Sequence, residues 1–352
     1  MLGLNFKDKN LKIVEKFWIF LLISVVIIVA GLVDTFFVRN MNLGVEFSGG
    51  SNIEISVGIS DFDQGKFETA VKNWLGGDRD NDGTVESKAY EVDGNVQKSG
   101  ADLSTSSFRI GMSMVEDGKT VDLNDKPEGA DQILLVTENE EIKTELKTYL
   151  EGYFGNNTTV EVETHVIGND VKNYTVRTAF IAVAVAVVII LIYIAIRFNL
   201  LAGVSAVIAL LHDVLIMVAL TTIFQVPVNM TFIAAVITIV GYSINATIVV
   251  FDRIREIHAL PSNADKTDAE IANEAIAGTL TRSILTTVTT LVMIVALAIF
   301  GSTAIREFAF PIIFGLLAGA YSSVLLSAPL WVKLRKVFGQ ENAKPAKKAK
   351  RS

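Results

Sequence analysis

Residues 236–256 read VITIVGYSINATIVVFDRIRE. With the residues before it, this apolar run is long enough to cross a bilayer. The polar residues Ser243, Asn245 and Thr247 lie in its middle, and charged residues begin at Asp252. Because polar groups are costly in hydrocarbon, the patch must face other helices or a hydrated cavity. The stretch therefore predicts a helix-packing core inside a membrane, and a hydrated pathway is the open alternative.

The composition of the whole chain is typical of a membrane protein: it has 352 residues, of which 51% are hydrophobic. A soluble fold would have to hide several uninterrupted apolar runs of about 20 residues each. Cysteine is absent, which excludes a disulfide framework, a thiolate metal site and a Cys nucleophile. The three histidines are scattered, without metal-ligand spacing. No catalytic or cofactor motif is present, so we expect neither an enzyme nor a nucleic-acid partner.

Apolar runs and charged turns predict a polytopic α-helical membrane protein with six spans and both termini cytoplasmic. The first span, 17–38, follows a lysine-bearing N-terminus at 1–16 and is too long for a signal-peptide core. Residues 171–332 carry the other five spans, at about 176–196, 200–224, 228–251, 283–300 and 308–332. An amphipathic surface helix is expected at 265–278. The basic tail, 333–352, is predicted to be a disordered arm at the inner membrane surface.

Residues 39–170 are predicted to form an extracytoplasmic domain, because this block is polar and strongly acidic. It holds 26 Asp and Glu against 11 Lys and Arg, so the rest of the chain is net basic. The apolar spacing indicates a ferredoxin-like α+β domain of the order strand, helix, strand, strand, helix, strand. Loops or an inserted hairpin are expected at 76–130. The strands are expected at 52–57, 107–113, 132–137 and 158–166, and the helices at 61–75 and 139–154.

Two adjacent glycines, Gly49 and Gly50, stand just before the first predicted strand. Paired glycines indicate a tight turn or a close approach of two backbones. A phosphate-binding loop is disfavoured, because no Lys-Ser/Thr follows and the segment enters a strand instead of a helix. The glycines therefore predict a turn that joins the first span to the domain.

Within this domain, Asp78, Asp80 and Asp82 precede Gly83 with the spacing at which a calcium loop begins. The bidentate Glu expected at position twelve of such a loop is replaced by Ala89. The segment is therefore interpreted as an acidic turn, with calcium binding at extracellular concentrations as the alternative. No other cofactor is expected.

The pair His212-Asp213 lies deep in an apolar run. An ionised carboxylate in the middle of a span costs at least about 2.5 kcal/mol, so an intramembrane Asp indicates function by default. Proton relay or cation coordination would use this pair, and a neutral pair that orders helix packing is the alternative. Arg282 opens the fifth span, before a hydroxyl-rich face at 286–290. It is either a topological anchor or part of a hydrated ion path.

Two segments of the opening stretch, GYSIN at 241–245 and TIVVFDRIRE at 247–256, resemble the signature of the SecD/SecF family of protein-export membrane proteins, in its SecF form. The Gly49-Gly50 pair, the His212-Asp213 pair and the span that begins at Arg282 resemble further family segments. One position departs from the pattern, since Ala246 stands where the family carries an Asp. The resemblance gives a motif role to Gly49, Gly50, Gly241, Tyr242, Ser243, Asp252, Arg253 and Arg255.

The resemblance implies one six-span half of an RND-superfamily transporter in the bacterial cytoplasmic membrane. It further implies a SecD-like sister subunit, the SecYEG channel and exported polypeptides as partners, and an ion gradient such as the proton motive force as the driver. Asp213, His212, Arg282 and Asn245 are then the ion-coupling candidates. Because alanine cannot titrate, coupling passes through Asp213 or a partner subunit, or the coupling ion is lost or changed. The alternative function is a homo-oligomeric, ion-coupled small-solute transporter of RND type.

Overall fold

A computed structural model describes most of the chain. The described residues are 12–57, 64–77, 89–99, 105–116, 119–122, 130–154, 160–167 and 169–339. The ten α-helices are α1 (Phe17–Val33), α2 (Val45–Ser48), α3 (Gln64–Leu75), α4 (Ala130–Phe154), α5 (Asn169–Arg197), α6 (Leu200–Ile223), α7 (Met230–Ala259), α8 (Asp268–Phe300), α9 (Thr303–Ser322) and α10 (Ala328–Val337). The five strands are β1 (Gly50–Val57), β2 (Ala89–Ser99), β3 (Thr105–Glu116), β4 (Lys119–Asp122) and β5 (Val160–Ile167).

Six helical segments within the described ranges are long and apolar enough to cross a membrane, the number that the sequence predicts. The first contains α1 and the π-helical turn that follows it. The last contains α9, a second π-helical turn at Ser323–Ser327, and α10. The six segments are Val14–Val38, Val171–Ile194, Leu200–Ile223, Met230–Ala259, Asp268–Phe300 and Ile305–Val337.

The polar block between the first two of these segments contains a sheet covered by two helices. Its strand order is β2-β3-β1-β5, and β4 pairs with β3. All of these neighbours are antiparallel. Alternate residues of β1 and β5 pack against apolar faces of α3 and α4, because successive side chains of a strand point to opposite faces. The resulting core contains Ile53, Ile55, Val57, Phe67, Val71, Trp74, Leu75, Ile142, Leu146, Leu150, Val160 and Val162.

Two secondary-structure predictions are wrong. Residues 132–137 were expected as a strand, but they belong to α4. A short apolar run cannot be assigned by periodicity alone, and here it continues into the helical spacing of Ile142, Leu146 and Leu150. Residues 265–278 do not form a separate surface helix, because α8 runs unbroken from Asp268 through the fifth span. One face of its first turns is buried, at Ile271, Ala272, Ala275 and Ile276.

The α+β domain is tied to the membrane helices by a short backbone pairing. The N–H of Gly44 donates to the carbonyl of Val228 at 2.8 Å, and the N–H of Val228 donates to the carbonyl of Asn42 at 2.8 Å. Gly49 then reverses the chain into β1 with φ of 78°, a conformation that favours glycine. Gly49-Gly50 therefore forms the predicted turn. The backbone pairing with the turn between α6 and α7 fixes the segment that leads into the domain.

Small residues allow the central helices to pack closely. A Cβ atom added at Gly315 of α9 would lie 2.5 Å from Cγ1 of Ile239 in α7. A Cβ added at Gly31 of α1 would lie 2.4 Å from Cβ of Ala219 in α6. These contacts leave no room for a larger side chain, and they bring α9 close to α7 and α1 close to α6.

The end of the bundle opposite the α+β domain is charged and holds both ends of the described chain together. The backbone N–H groups of Ile13 and Val14 donate to Oδ1 of Asn273 at 3.0 and 3.2 Å. Nζ of Lys333 lies 5.0 Å from the ring centre of Trp18. Arg197 at the end of α5 pairs with Asp252 of α7 at 3.0 Å. Because these contacts link residues far apart in sequence, they define one common, charged end.

Candidate ion-coupling site between the membrane helices

A polar cluster lies where α1, α6, α7 and α9 meet, and its centre is the predicted pair His212-Asp213. The side chain of Asp213 has no exposed surface, and His212 is 9% exposed. We define the His–Asp–Ser cluster as Ser24, His212, Asp213, Ser243, Tyr321 and Ser322. The apolar cores of the bundle surround it, so it is a polar site inside a hydrophobic interior.

Three side chains from three helices contact the carboxylate of Asp213. Nδ1 of His212 lies 2.9 Å from its Oδ1. The hydroxyls of Ser322 and Ser243 both donate to its Oδ2, the first at 2.8 Å. A buried carboxylate needs such donors, because its oxygens have lost their hydrogen bonds to water. The site is thus built for a carboxylate that exists inside the membrane.

His212 connects this carboxylate to the first span. Its Nε2 lies 2.7 Å from the hydroxyl oxygen of Ser24. The ring of Tyr321 stacks on the imidazole with centroids 6.1 Å apart and an angle of 17° between the planes. The Tyr321 hydroxyl in turn donates to the carbonyl of Phe20 at 2.7 Å. The imidazole is therefore clamped in one orientation by α1 and α9.

These contacts restrict where protons reside. A carboxylate only accepts hydrogen bonds, so Nδ1 of His212 must carry a proton when Asp213 is ionised. In the neutral imidazole, Nε2 then accepts the Ser24 hydroxyl, and in the imidazolium it donates to the same oxygen. Both protonation states keep every contact at this ring satisfied. Ser24 has one hydroxyl proton, for which the carbonyl of Phe20 at 3.2 Å is a second acceptor, so the protonation of His212 decides where that proton points.

The approach of α9 to α7 at this site depends on Gly319. A Cβ at Gly319 would lie 3.2 Å from Cβ of Ser243, closer than most such contacts. The π-helical turn Ser323–Ser327 begins directly after Ser322. Such turns are frequent at functional sites because they offset the helix register and reorient side chains. Both features act on the two serines that contact Asp213.

The structure separates the other two ion-coupling candidates from this cluster. Asn245 and Arg282 are both exposed on the outside of the described helices. No hydrogen bond or ion pair joins either side chain to His212 or Asp213 in the described ranges. Ala246 is half-buried, and it too lies outside the cluster. The polar patch of the opening stretch is therefore divided, with Ser243 and Thr247 buried and Asn245 turned outward.

The charged residues of the motif lie at the common, charged end of the bundle. Asp252 contacts Arg197 at 3.0 Å and Arg255 at 3.4 Å, which links α5 to α7. Arg253 pairs with Glu256 of the same helix at 2.8 Å. Gly241 is exposed, and Tyr242 packs partly buried against the core of the bundle.

Asp78, Asp80 and Asp82, interpreted as an acidic turn with calcium binding as the alternative, lie outside the described residues. Within the described ranges, no group of three or more His, Cys, Asp or Glu side chains is arranged to hold a metal ion.

Sequence reasoning missed three members of the cluster. Ser24 was overlooked, although it is the one polar residue of the α1 sequence. Tyr321 and Ser322 are not among the residues that the sequence singles out as ion-coupling candidates. The sequence signals available were the lone hydroxyl of Ser24 in an apolar span and the position of Ser322 before a run of small residues. Neither signal identifies the side chain that the hydroxyl contacts.

Fold and site together define a polytopic helical membrane protein with an α+β domain outside the bundle and an acidic polar cluster within it. Comparison with known families agrees with this class. Residues 145–337 match the family "Protein export membrane protein SecD/SecF, C-terminal", and residues 36–58 match the "SecD/SecF GG Motif". The chain belongs to the SecD/SecF family.

Several characterised relatives are similar along the chain. The protein translocase subunit SecF of Calditerrivibrio nitroreducens is 29% identical over 323 residues, which cover 92% of this chain and 93% of that protein. SecF of Alicyclobacillus acidocaldarius is 41% identical over 177 residues, 50% of this chain and 57% of that protein. SecDF of Bacillus subtilis is 31% identical over 316 residues, 89% of this chain but only 36% of that protein. The match thus spans nearly the whole of the first relative, little more than half of the second and about a third of the third.

The fold is also similar to a solved structure. The crystal structure of SecDF from Thermus thermophilus, described as a translocon-associated membrane protein, superposes with a TM-score of 0.68 at 24% identity. The superposition covers 94% of this chain and 39% of that chain.

Proposed function

We propose that this protein is a SecF-like subunit of the protein-export machinery, and that ion movement through its membrane part drives late steps of export. The observation that carries the proposal is the buried carboxylate of Asp213, held by His212, Ser243 and Ser322 in the middle of the bundle. A passive scaffold gains little from such a site, because burying an ionisable group is costly. A transport subunit uses it to bind and release an ion. We assign the chain no catalytic activity of its own.

The proton is the ion that the geometry supports best. Only one carboxylate belongs to the His–Asp–Ser cluster, whereas a bound metal cation prefers several oxygen ligands from charged or carbonyl groups. The 2.9 Å contact between His212 and Asp213 joins a ring nitrogen that can donate a proton to an oxygen that can accept it. The π-helical turn after Ser322 supplies an element that could repack as the charge of the pair changes. Protonation and helix movement would then be coupled at the α6–α9 contact.

A partner subunit is supported by the outer surface of α7 and α8. Arg282, Thr286 and Thr289 are exposed along one face of α8, and Asn245 is exposed on α7. A charged residue within a span is costly in lipid and is normally covered by protein or water. The threonine hydroxyls bond to backbone carbonyls of their own helix, for example Thr286 to Arg282 at 2.9 Å. We infer that a SecD-like subunit covers this face and that Arg282 would contact polar groups of that subunit.

The orientation follows from charge. The common, charged end of the bundle carries Arg197, Arg253, Arg255, Lys333 and Arg335, and basic residues favour the cytoplasmic side. Both chain termini would then be cytoplasmic, and the α+β domain would lie outside the cytoplasmic membrane. The order β2-β3-β1-β5, with α3 and α4 as the crossovers, supports the ferredoxin-like assignment of this domain. There it would engage emerging polypeptides or the domain of the sister subunit.

Co-purification from gently solubilised membranes tests this function. We expect the tagged protein to retain a SecD-like subunit and the SecYEG channel, since the polar face of α8 requires cover. The comparison is a variant with Arg282→Leu and Thr286→Leu, which removes the polar face and should lower recovery of the SecD-like subunit. A homo-oligomer without either partner would contradict the export assignment, and small-solute flux would be measured next.

The position of Ala246 offers a gain-of-function experiment. We expect Ala246→Asp to make export respond more strongly to a proton gradient, because it adds a titratable group to the helix of Ser243. The measurement is export into inverted membrane vesicles at several pH differences. Ala246→Asn is the matched control, since it adds a similar side chain that cannot titrate. Equal behaviour of the two variants would show that this position does not enter the ion path.

A further inference from the structure

The carbonyl oxygen of Phe20 joins α1 to α9 beside the His–Asp–Ser cluster. The hydroxyl of Tyr321 in α9 donates to this oxygen at 2.7 Å, and the hydroxyl of Ser24 in α1 lies 3.2 Å from it. The ring of Tyr321 also meets the ring of Phe20 edge-on, with centroids 6.2 Å apart. Two hydroxyl groups from two helices therefore converge on one acceptor.

This acceptor has fewer lone pairs than donors around it. Phe20 and Ser24 are four residues apart in the continuous helix α1, so the backbone N–H of Ser24 bonds to the same carbonyl oxygen. A carbonyl oxygen offers two lone pairs, which this N–H and the Tyr321 hydroxyl occupy. The Ser24 hydroxyl is a third donor, and it consequently competes with Tyr321 for the Phe20 carbonyl.

The charge of His212 decides whether this competition takes place. Its Nε2 lies 2.7 Å from Oγ of Ser24. In the neutral imidazole with its proton on Nδ1, Nε2 accepts the serine hydroxyl, and the Phe20 carbonyl is left to Tyr321. In the imidazolium, Nε2 donates, so the hydroxyl proton of Ser24 must turn to its second acceptor, Phe20. Ser24 is 2% exposed, which leaves bulk water little access to this hydroxyl.

The charged surroundings of His212 are simple. Among the described residues, Asp213 and Tyr321 are the titratable groups in contact with the imidazole. The sequence of α1 has no charged residue from Phe17 to Val33, and that of α7 has none from 230 to 251. The charged residues of α9, at 306–307, precede Tyr321 by 14 or more residues, about 20 Å along a helix. The charge of the His–Asp pair is therefore the variable that acts on this contact.

We propose that Ser24 is a positioning residue that transmits the charge of His212 to the contact between α1 and α9. Protonation of the imidazole turns the serine hydroxyl to the Phe20 carbonyl, where it displaces the Tyr321 hydroxyl and loosens α9 from α1. Because α1 leads into the backbone pairing at Gly44, this change reaches the entry of the α+β domain. The inference rests on the proposed function, since it names how the ion-coupling site acts on the rest of the protein.

Melting temperatures of the full chain in detergent test this role in the parent, Tyr321→Phe, Ser24→Ala and the double variant. NMR of histidine-labelled protein, with His212→Gln to assign one of the three histidines, identifies one pH at which the ring is neutral and one at which it is charged. With a neutral ring, Tyr321→Phe removes a hydrogen bond and should lower the melting temperature by about 2 °C. With a charged ring, we expect this loss to shrink by more than half. In the Ser24→Ala background, the loss should be equal at both pH values.

Two further variants are matched controls. Tyr242→Phe removes a buried hydroxyl that has no partner within the described ranges, and Thr35→Val removes a hydroxyl that bonds to the carbonyl of Gly31 four residues earlier. Neither should show a loss that changes between the two pH values.

Three results would overturn the proposal. They are an equal cost of Tyr321→Phe at both pH values, a pH-dependent cost that persists without Ser24, and a His212 ring that keeps one charge state wherever the protein is folded. Because stability is measured and not export, the proposal can fail while the proposed function stands. Failure of the proposed function would appear instead in the co-purification and export experiments.

Discussion

Replacing Asp213 by asparagine is expected to reduce ion-driven export to the level of membranes that lack the protein. Asparagine has nearly the same shape, but it cannot take up or release a proton. Its amide group also places a second donor where the carboxylate accepts from His212, Ser243 and Ser322. At least one of these buried donors would then lose its acceptor, at a cost of about 1–3 kcal/mol. Export into inverted vesicles, with and without an imposed proton gradient, measures the effect.

Two comparisons separate coupling from folding. Thr221→Val changes another fully buried polar residue of α6, whose hydroxyl bonds to the carbonyl of Met217, and should leave export unchanged. Ser322→Ala removes one donor but keeps the titratable carboxylate, so it should retain part of the gradient response. A folded Asp213→Asn protein with a full response to the gradient would restrict the His–Asp–Ser cluster to helix packing.

Replacing Asp268 by alanine should have the largest effect on stability. Asp268 is fully buried in the first turn of α8, and its Oδ2 lies 2.9 Å from Nε of Arg335, whose side chain is 13% exposed. Removal of one partner leaves the other charge buried, which typically costs about 3–5 kcal/mol. We expect the melting temperature in detergent to fall by roughly 10 °C or more.

The double variant Asp268→Leu, Arg335→Met is the corresponding control. It removes both charges, and hydrophobic replacement of a buried ion pair is often neutral. We therefore expect it to recover most of the melting temperature, whereas the exposed Asp265→Ala should behave like the parent protein. Equal melting temperatures for Asp268→Ala and the parent would mean that Arg335 is adequately solvated without its partner.

Local sequence determined much of the secondary structure, but it was ambiguous where two patterns overlap. The run of apolar residues at 132–137 fits a strand or a buried helix equally well, and the structure makes it the beginning of α4, whose later turns pack on the sheet through Ile142, Leu146 and Leu150. The segment at 265–278 was amphipathic as predicted, yet its apolar face is buried by neighbouring helices instead of lying on a membrane surface. In both segments the apolar pattern can be read from the sequence, but the element that packs against it cannot.

The sequence by itself determined the six apolar segments and the turn at Gly49-Gly50, and it singled out His212-Asp213 as a candidate site. Segment length, backbone conformation and the cost of an intramembrane charge are properties of neighbouring residues, so they can be deduced without a fold. The tertiary structure alone decided which residues complete the site. Ser24 and Ser322 come from helices 188 and 109 residues away from their partners. The orientation of α7 also depends on packing. Residues two positions apart on a helix point to nearly opposite sides. Packing therefore buries Ser243 beside Asp213 and leaves Asn245 on the outside.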